Sequence, residues 1–270
     1  MTGWEALSMA LTGETGNVTA RTRARQRARD WAEIQERMLV PLYEAVYGRL
    51  EVGPATSVLG LGCRSGLALL LAAARGAEVL GTESEEELRA LARARQLRVR
   101  PAPGADAPGS PERHAVVTAF ERLGSCTDPR ELLREAAART ARGGHVVLAT
   151  WGPPERCESA SVLRVAQRLG PPGACDPFAL SEPGVLESLV RECGLRPDGG
   201  GRVACPFAYP DLESALRGLL STGAFDAAAE YASESLVEKE LAEALYPYVR
   251  EDGSVRMRNV FRYLLAEAVR

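Results

Sequence analysis

Residues 57–66 read Ser57-Val58-Leu59-Gly60-Leu61-Gly62-Cys63-Arg64-Ser65-Gly66. The apolar residues Val58, Leu59 and Leu61 form a short buried-strand pattern. The run ends in glycines at 62 and 66, and a helical stretch, Leu67 to Ala74, follows at once. Strand, glycine turn and helix open a nucleotide-binding βαβ unit. Glycine lets the backbone turn tightly and approach a ligand closely. The helix N-terminus then offers free N–H groups to an anion such as a carboxylate. Working outward, residues 76–83 (Gly-Ala-Glu-Val-Leu-Gly-Thr-Glu) read as a second strand ending in an acid. Glu83 follows Gly66 at about the spacing, roughly 20 residues, at which such folds place a carboxylate on a ribose diol.

These residues resemble a family. V-L-G-L-G-C-R-S-G, followed by G-A-E-V-L-G-T-E-S, is similar to motif I and its sequel in class I S-adenosylmethionine (SAM) dependent methyltransferases. Gly62, Cys63, Gly66 and the acid Glu83 match the family pattern. Gly60 stands where the family has an acid, and Arg64 where it has its middle glycine. The resemblance implies a Rossmann-like α/β fold: a seven-stranded, mostly parallel sheet with helices on both faces. It also implies an N-terminal helical lid over residues 1–50, a cofactor-binding core over 51–150, and a C-terminal half, 151–270, that completes the sheet and carries a helical substrate-binding insertion.

The cofactor implied is SAM, with S-adenosylhomocysteine as product and no metal. Its site would comprise Gly62, Cys63, Arg64, Gly66, Glu83, Ser84 and Phe120. Asp106, in the loop after the third strand, would face the adenine, and Trp31 of D-W-A-E-I-Q-E would close over the cofactor. Substrate would meet Gln35, Phe120 and Trp151, since ligands of open α/β sheets bind beyond the carboxyl ends of the strands. Arg64 has two readings. It points outward or pairs with a nearby acid and leaves the site usable, or it fills the space of the methionine end. The outward conformation is favoured because Gly62, Gly66 and Glu83 are in place.

The rest of the chain limits the partners. With 270 residues and 46% apolar composition, it can bury one large core with appendages. A net charge of −3 gives no electrostatic case for nucleic acid or an anionic membrane. Arg21 to Arg29 carries arginine at every second position, which spreads charge around a helix and reads as a solvated surface. The six cysteines form no C-x-x-C pair, and with two histidines zinc spacing is absent. Without a signal peptide or a long apolar span, a reduced cytoplasmic setting is expected.

The periodicity predicts a helix over 19–50 broken at Pro41, and strands at 57–61, 78–82, 98–100, 114–120, 145–150, 202–208 and 258–266. The last strand is antiparallel by the resemblance. A helix over 129–142 is expected to end at Gly143-Gly144. His145 reads as buried in a core strand, and His114 as remote from the pocket, so no catalytic base is assigned. Two functions follow. The first is methyl transfer from SAM to a small organic molecule, in secondary metabolism, by in-line alignment. The second is a methyltransferase-fold protein that has lost methyl transfer and carries out another reaction, such as a cyclisation, or serves as a binding partner. The acceptor and the oligomeric state are not legible.

Overall fold

The structure is a computed structural model that describes residues 20–102, 112–120, 128–174 and 176–269. The predicted unit is present: β1 (Ser57–Leu61), α3 (Leu67–Ala74), β2 (Glu78–Glu83), α4 (Glu86–Ala94) and β3 (Val99–Pro101). Then come β4 (His114–Ala119), α5 (Pro129–Arg139), β5 (Thr140–Trp151), α6 (Ser159–Leu169), α7 (Val185–Glu192) and β6 (Arg196–Ala204). One sheet of seven strands results, in the order β3-β2-β1-β4-β5-β9-β6, where β9 is Val260–Glu267. β1 to β5 run parallel, and β9 pairs antiparallel with both β5 and β6.

Alternation along the strands puts a core on each face. Val58, Val116, Val147 and Ala149 join a cluster with Leu42 and Val46 of α2 (Val40–Arg49), Leu69 and Ala72 of α3, and Leu88 and Ala92 of α4. Their strand neighbours Leu59, Leu61, Val117, Val146 and Leu148 join Leu132, Leu133 and Ala136 of α5 and Leu186 and Val190 of α7. Each fully buried Val or Leu among them contributes about 1.5–3 kcal/mol.

The N-terminal segment is not two plain helices. Helix α1 (20–30) passes into a π-helical turn, Trp31–Gln35, then a 3-10 turn, Glu36–Leu39, and only then α2. Pro41 lies in the first turn of α2, where a missing N–H costs nothing. The arginines of α1 are not simply solvated: Arg23 pairs with Glu234, Arg25 with Glu87 and Arg27 with Asp226.

Three other boundaries differ from the sequence reading. α5 stops at Arg139, because Thr140 turns extended and donates its hydroxyl back to the Ala136 carbonyl at 2.7 Å. Gly143 and Gly144 therefore lie inside β5, not in a helix cap. The expected strand at 202–208 is really two. β6 ends at Ala204, and β7 (Phe207–Tyr209) pairs instead with β8 (Val255–Met257) in a separate two-stranded sheet. Between β7 and β8 the chain folds α8 (Leu212–Leu220), α9 (Asp226–Tyr231) and α10 (Glu234–Leu245).

Candidate functional site

The turn after β1 is built by left-handed residues. Gly62, Arg64 and Gly66 have φ of 61°, 52° and 86°. At Gly66 an added β-carbon would stand 2.5 Å from Leu97 Cδ1, so this glycine serves the packing of the turn on the neighbouring layer. Cys63 is buried, its sulfur 2.6 Å from where a β-carbon on Gly81 would stand, which makes it a packed residue beneath the turn.

Arg64 does not swing out to solvent; of the favoured reading it keeps the pair with a nearby acid, Glu85. Its side chain is 15% exposed. The guanidinium lies 4.4 Å from the centre of the Trp31 ring. It donates to Glu85 Oε1 at 3.1 Å and to the carbonyls of Thr222 and Ser221, just past α8, at 2.9 and 3.4 Å. One side chain thus ties the glycine turn, the N-terminal segment and the C-terminal helices together.

Glu83 ends β2 beside the turn, 3% exposed. Its carboxylate accepts from the Arg64 N–H at 2.8 Å, the Glu85 N–H at 3.0 Å and the Ser84 hydroxyl at 3.2 Å. Ser84 is itself exposed. Arg89 braces the same strand end, donating to the Glu83 and Ser84 carbonyls, each at 2.6 Å.

The helix N-terminus offered to an anion already holds one. Glu36, 1% exposed, accepts from the Leu67 N–H at 3.2 Å, the Ser65 hydroxyl at 2.5 Å and Arg95 Nη1 at 2.9 Å. Sequence reasoning missed this residue, because a charge between apolar positions looks like a solvated one. The N-terminal segment is also pinned by Asp30, which accepts from Arg217 at 2.5 Å, and by Gln35, whose Oε1 accepts from the Tyr209 hydroxyl at 2.8 Å. Burial raises the Tyr209 phenol well above its ordinary pKa, so it stays a donor. Gly218 leaves room for this contact: a β-carbon there would stand 3.1 Å from Gln35 Oε1.

Beyond β4 and β5 lies a cavity of about 120 Å³. Trp31, Gln35, Arg64, Phe120 and Trp151 all line it, so the structure brings these five expected residues together. Phe207 and Phe261, not foreseen, complete the wall, with ring centres 5.8 and 4.5 Å from Trp151. They were hidden because the strands carrying them were misjudged at their ends. Phe120 is held by Tyr43, with ring centres 4.9 Å apart. Gly62, Cys63, Gly66, Glu83 and Ser84 are not among the residues lining the cavity. Asp106 lies outside the described residues.

The histidines stand apart from the cavity. His114 opens β4 at its amino end, and burial holds its imidazole below the ordinary pKa. His145 is not a core residue: its ring reaches Asp198 at 2.9 Å and holds that carboxyl below the usual range. Among the described residues no group of three or more His, Cys, Asp or Glu could hold a metal ion, and no helix is long and apolar enough to cross a membrane.

Residues 23–178, more than half of the chain, match the family model for a methyltransferase domain. No curated protein matches. Among solved structures, a candidate methyltransferase from Bacillus halodurans is 14% identical with a TM-score of 0.55, covering 84% of this chain and 98% of that one. A candidate type II methyltransferase from Anaeromyxobacter dehalogenans is 21% identical, also with a TM-score of 0.55, covering 84% and 96%. The [4+2]-cyclase SpnF is 15% identical with a TM-score of 0.52, covering 84% and 80%. At these identities the likeness is one of fold.

Proposed function

The chain belongs to the methyltransferase-domain family, and from that premise we propose that it is a SAM-dependent methyltransferase acting on a small organic molecule in secondary metabolism. The observation that carries the reading is the aromatic cavity at the carboxyl ends of β4 and β5, next to the glycine turn and Glu83. In this reading the N-terminal segment 1–50, described from residue 20, is its lid, 51–150 the cofactor-binding core and 151–270 the half that shapes the substrate site. Its size suits one ring or a short alkyl chain, since a cavity of about 150 Å³ holds benzene. The cysteine usage and modest net charge support a cytoplasmic setting and no nucleic-acid partner.

SAM does not fit while Arg64 keeps this course, so methyl transfer requires Arg64 to move off the turn. The carboxylate proposed for its ribose is satisfied by the chain's own N–H groups, and Arg64 stands across the turn. Ligand pockets run to about 300–1,000 Å³, against about 120 Å³ here. The Arg64 contacts also favour a second reading, a protein that uses the cavity for a reaction other than methyl transfer. The fold is compatible with that, as the cyclase relative illustrates.

Calorimetric titration of wild type and Arg64→Gly with SAM separates the two. Methyl transfer expects measurable wild-type binding and an affinity at least tenfold higher in the variant. Absence of binding in both proteins sinks methyl transfer in favour of the second reading.

A further inference from the structure

The cavity has an uneven supply of hydrogen-bonding groups. Trp31 and Arg64 both line it, and each has an N–H, Nε1 and Nε, without a partner; both nitrogens lie just behind the wall, so an acceptor reaches them as the two side chains part. Gln35 lines it too. Its carbonyl oxygen is taken by Tyr209, so the polar group it retains is the NH2, a donor. The Thr150 hydroxyl can serve either way. No Asp, Glu or His is among the described lining residues. A buried donor without an acceptor is costly, so an acceptor from outside is the expected complement.

Resting on the small-molecule reading above, we propose that the ligand of this cavity is a compact apolar molecule presenting an unprotonated oxygen, a carboxylate or ketone-type carbonyl, to the Trp31–Gln35–Arg64 side. Phe120, Trp151, Phe207 and Phe261 receive its apolar body. Among the described lining side chains an ammonium or other purely donating group finds only the hydroxyls of Thr150 and Thr222 as acceptors. An alcohol or amine that had to lose a proton would need a base, and none lines the cavity. Glu85 offsets part of the Arg64 charge, so recognition rests on the N–H donors more than on net charge. Carboxylate and ketone are therefore both in the class.

The test is a series with one body and different heads: 3-phenylpropionate, 4-phenylbutan-2-one, 3-phenylpropylamine and ethylbenzene. Binding to the full chain is read by intrinsic fluorescence, since Trp31 and Trp151 both line the cavity, and checked by calorimetry. The acid or the ketone is expected to bind at least tenfold more tightly than the amine and the hydrocarbon. Trp31→Phe keeps a ring but removes the N–H, and should cut that preference three- to tenfold, with ethylbenzene as the reference for any change in the apolar wall. Arg64→Met is the second variant, with the same expected loss, should Trp31→Phe fold poorly. Equal binding of all four heads, or a preference untouched in whichever variants fold, overturns the proposal and leaves the small-molecule reading standing. Failure of every probe to bind wild type overturns both.

Discussion

The carboxyl end of β2 and the carboxyl ends of β4 and β5 lie on the same edge of one sheet but are finished differently. At β2 the polar groups are mostly engaged internally: Glu83 holds three donors of its own chain, and Glu36 sits on the helix N–H that follows the turn. At β4 and β5 the surfaces are aromatic, a cavity remains, and buried donors stand unpaired. The contrast suggests that a fold can close one half of its ligand crevice by polar saturation and keep the other half open by shape. Arg64 touches both halves, through its backbone at Glu83 and its guanidinium at Trp31.

The largest effect should come from restoring the acid at position 60. Gly60 is buried, and a β-carbon there would stand 3.1 Å from Cys63 Cβ and 3.2 Å from Leu69 Cδ2. An aspartate would crowd the closed half and bury a carboxylate without a built-in partner. Gly60→Asp should cost more than about 3 kcal/mol in urea denaturation. A loss under about 1 kcal/mol would mean that the β1 end is looser than described. The same crowding argues against pairing Gly60→Asp with Arg64→Gly as a way to recover a cofactor site.

Next comes Glu36→Gln, which weakens the anion on the helix N-terminus and leaves Arg95 and Ser65 poorly matched. Arg95 is 25% exposed, so water partly compensates. The expected cost is about 2–3 kcal/mol, read from the same denaturation curves. A neutral result would show that the closed half does not depend on this carboxylate.

His114, at the opposite edge of the sheet, gives a smaller, pH-dependent effect that should spare the cavity. Burial lowers its folded-state pKa below the unfolded value of about 6.5. The unfolded chain then binds more protons, so this contribution is fully present above about pH 6.5 and lost as pH falls through the folded pKa. His114→Asn should flatten the stability profile below about pH 6.5 and leave probe binding in the cavity unchanged. An unaltered profile would assign the acid sensitivity elsewhere.

The sequence made the central unit legible because strand alternation and a glycine turn are local signals. Leu59 and Leu61 face one core and Val58 the other, as a period of two requires. The edge strands were obscured by Gly199-Gly200-Gly201. Gly200 is needed because a β-carbon there would stand 2.4 Å from the Tyr263 carbonyl oxygen, a constraint set by a residue far along the chain. Phe120 and Trp151 could be nominated from their places at strand ends, and Trp31 and Gln35 from the resemblance of D-W-A-E-I-Q-E to a family lid helix. The burial of Glu36 and the inward course of Arg64 could not, since both depend on partners that only folding assembles.

Arg64→Gly sets opposed terms against each other, and it tests whether the two halves are held apart by this residue. A non-glycine residue in the left-handed region costs about 1–2 kcal/mol, which glycine would relieve. Against that stands the extra freedom of glycine in the unfolded chain, about 0.4–1 kcal/mol. The guanidinium over Trp31 contributes about 0.5–1 kcal/mol. The pair with Glu85, which is 49% exposed, contributes at most about 1 kcal/mol. The bonds to the Thr222 and Ser221 carbonyls, lost in the variant, add about 1.5–3 kcal/mol, so the net cost should be about 1–3 kcal/mol. Meanwhile the roof of the cavity loses its tie to the glycine turn, and limited proteolysis should cut the segment between α1 and α2 faster. A loss above about 4 kcal/mol with unchanged proteolysis would make Arg64 a fixed part of the core, and the closed half would then be closed for good.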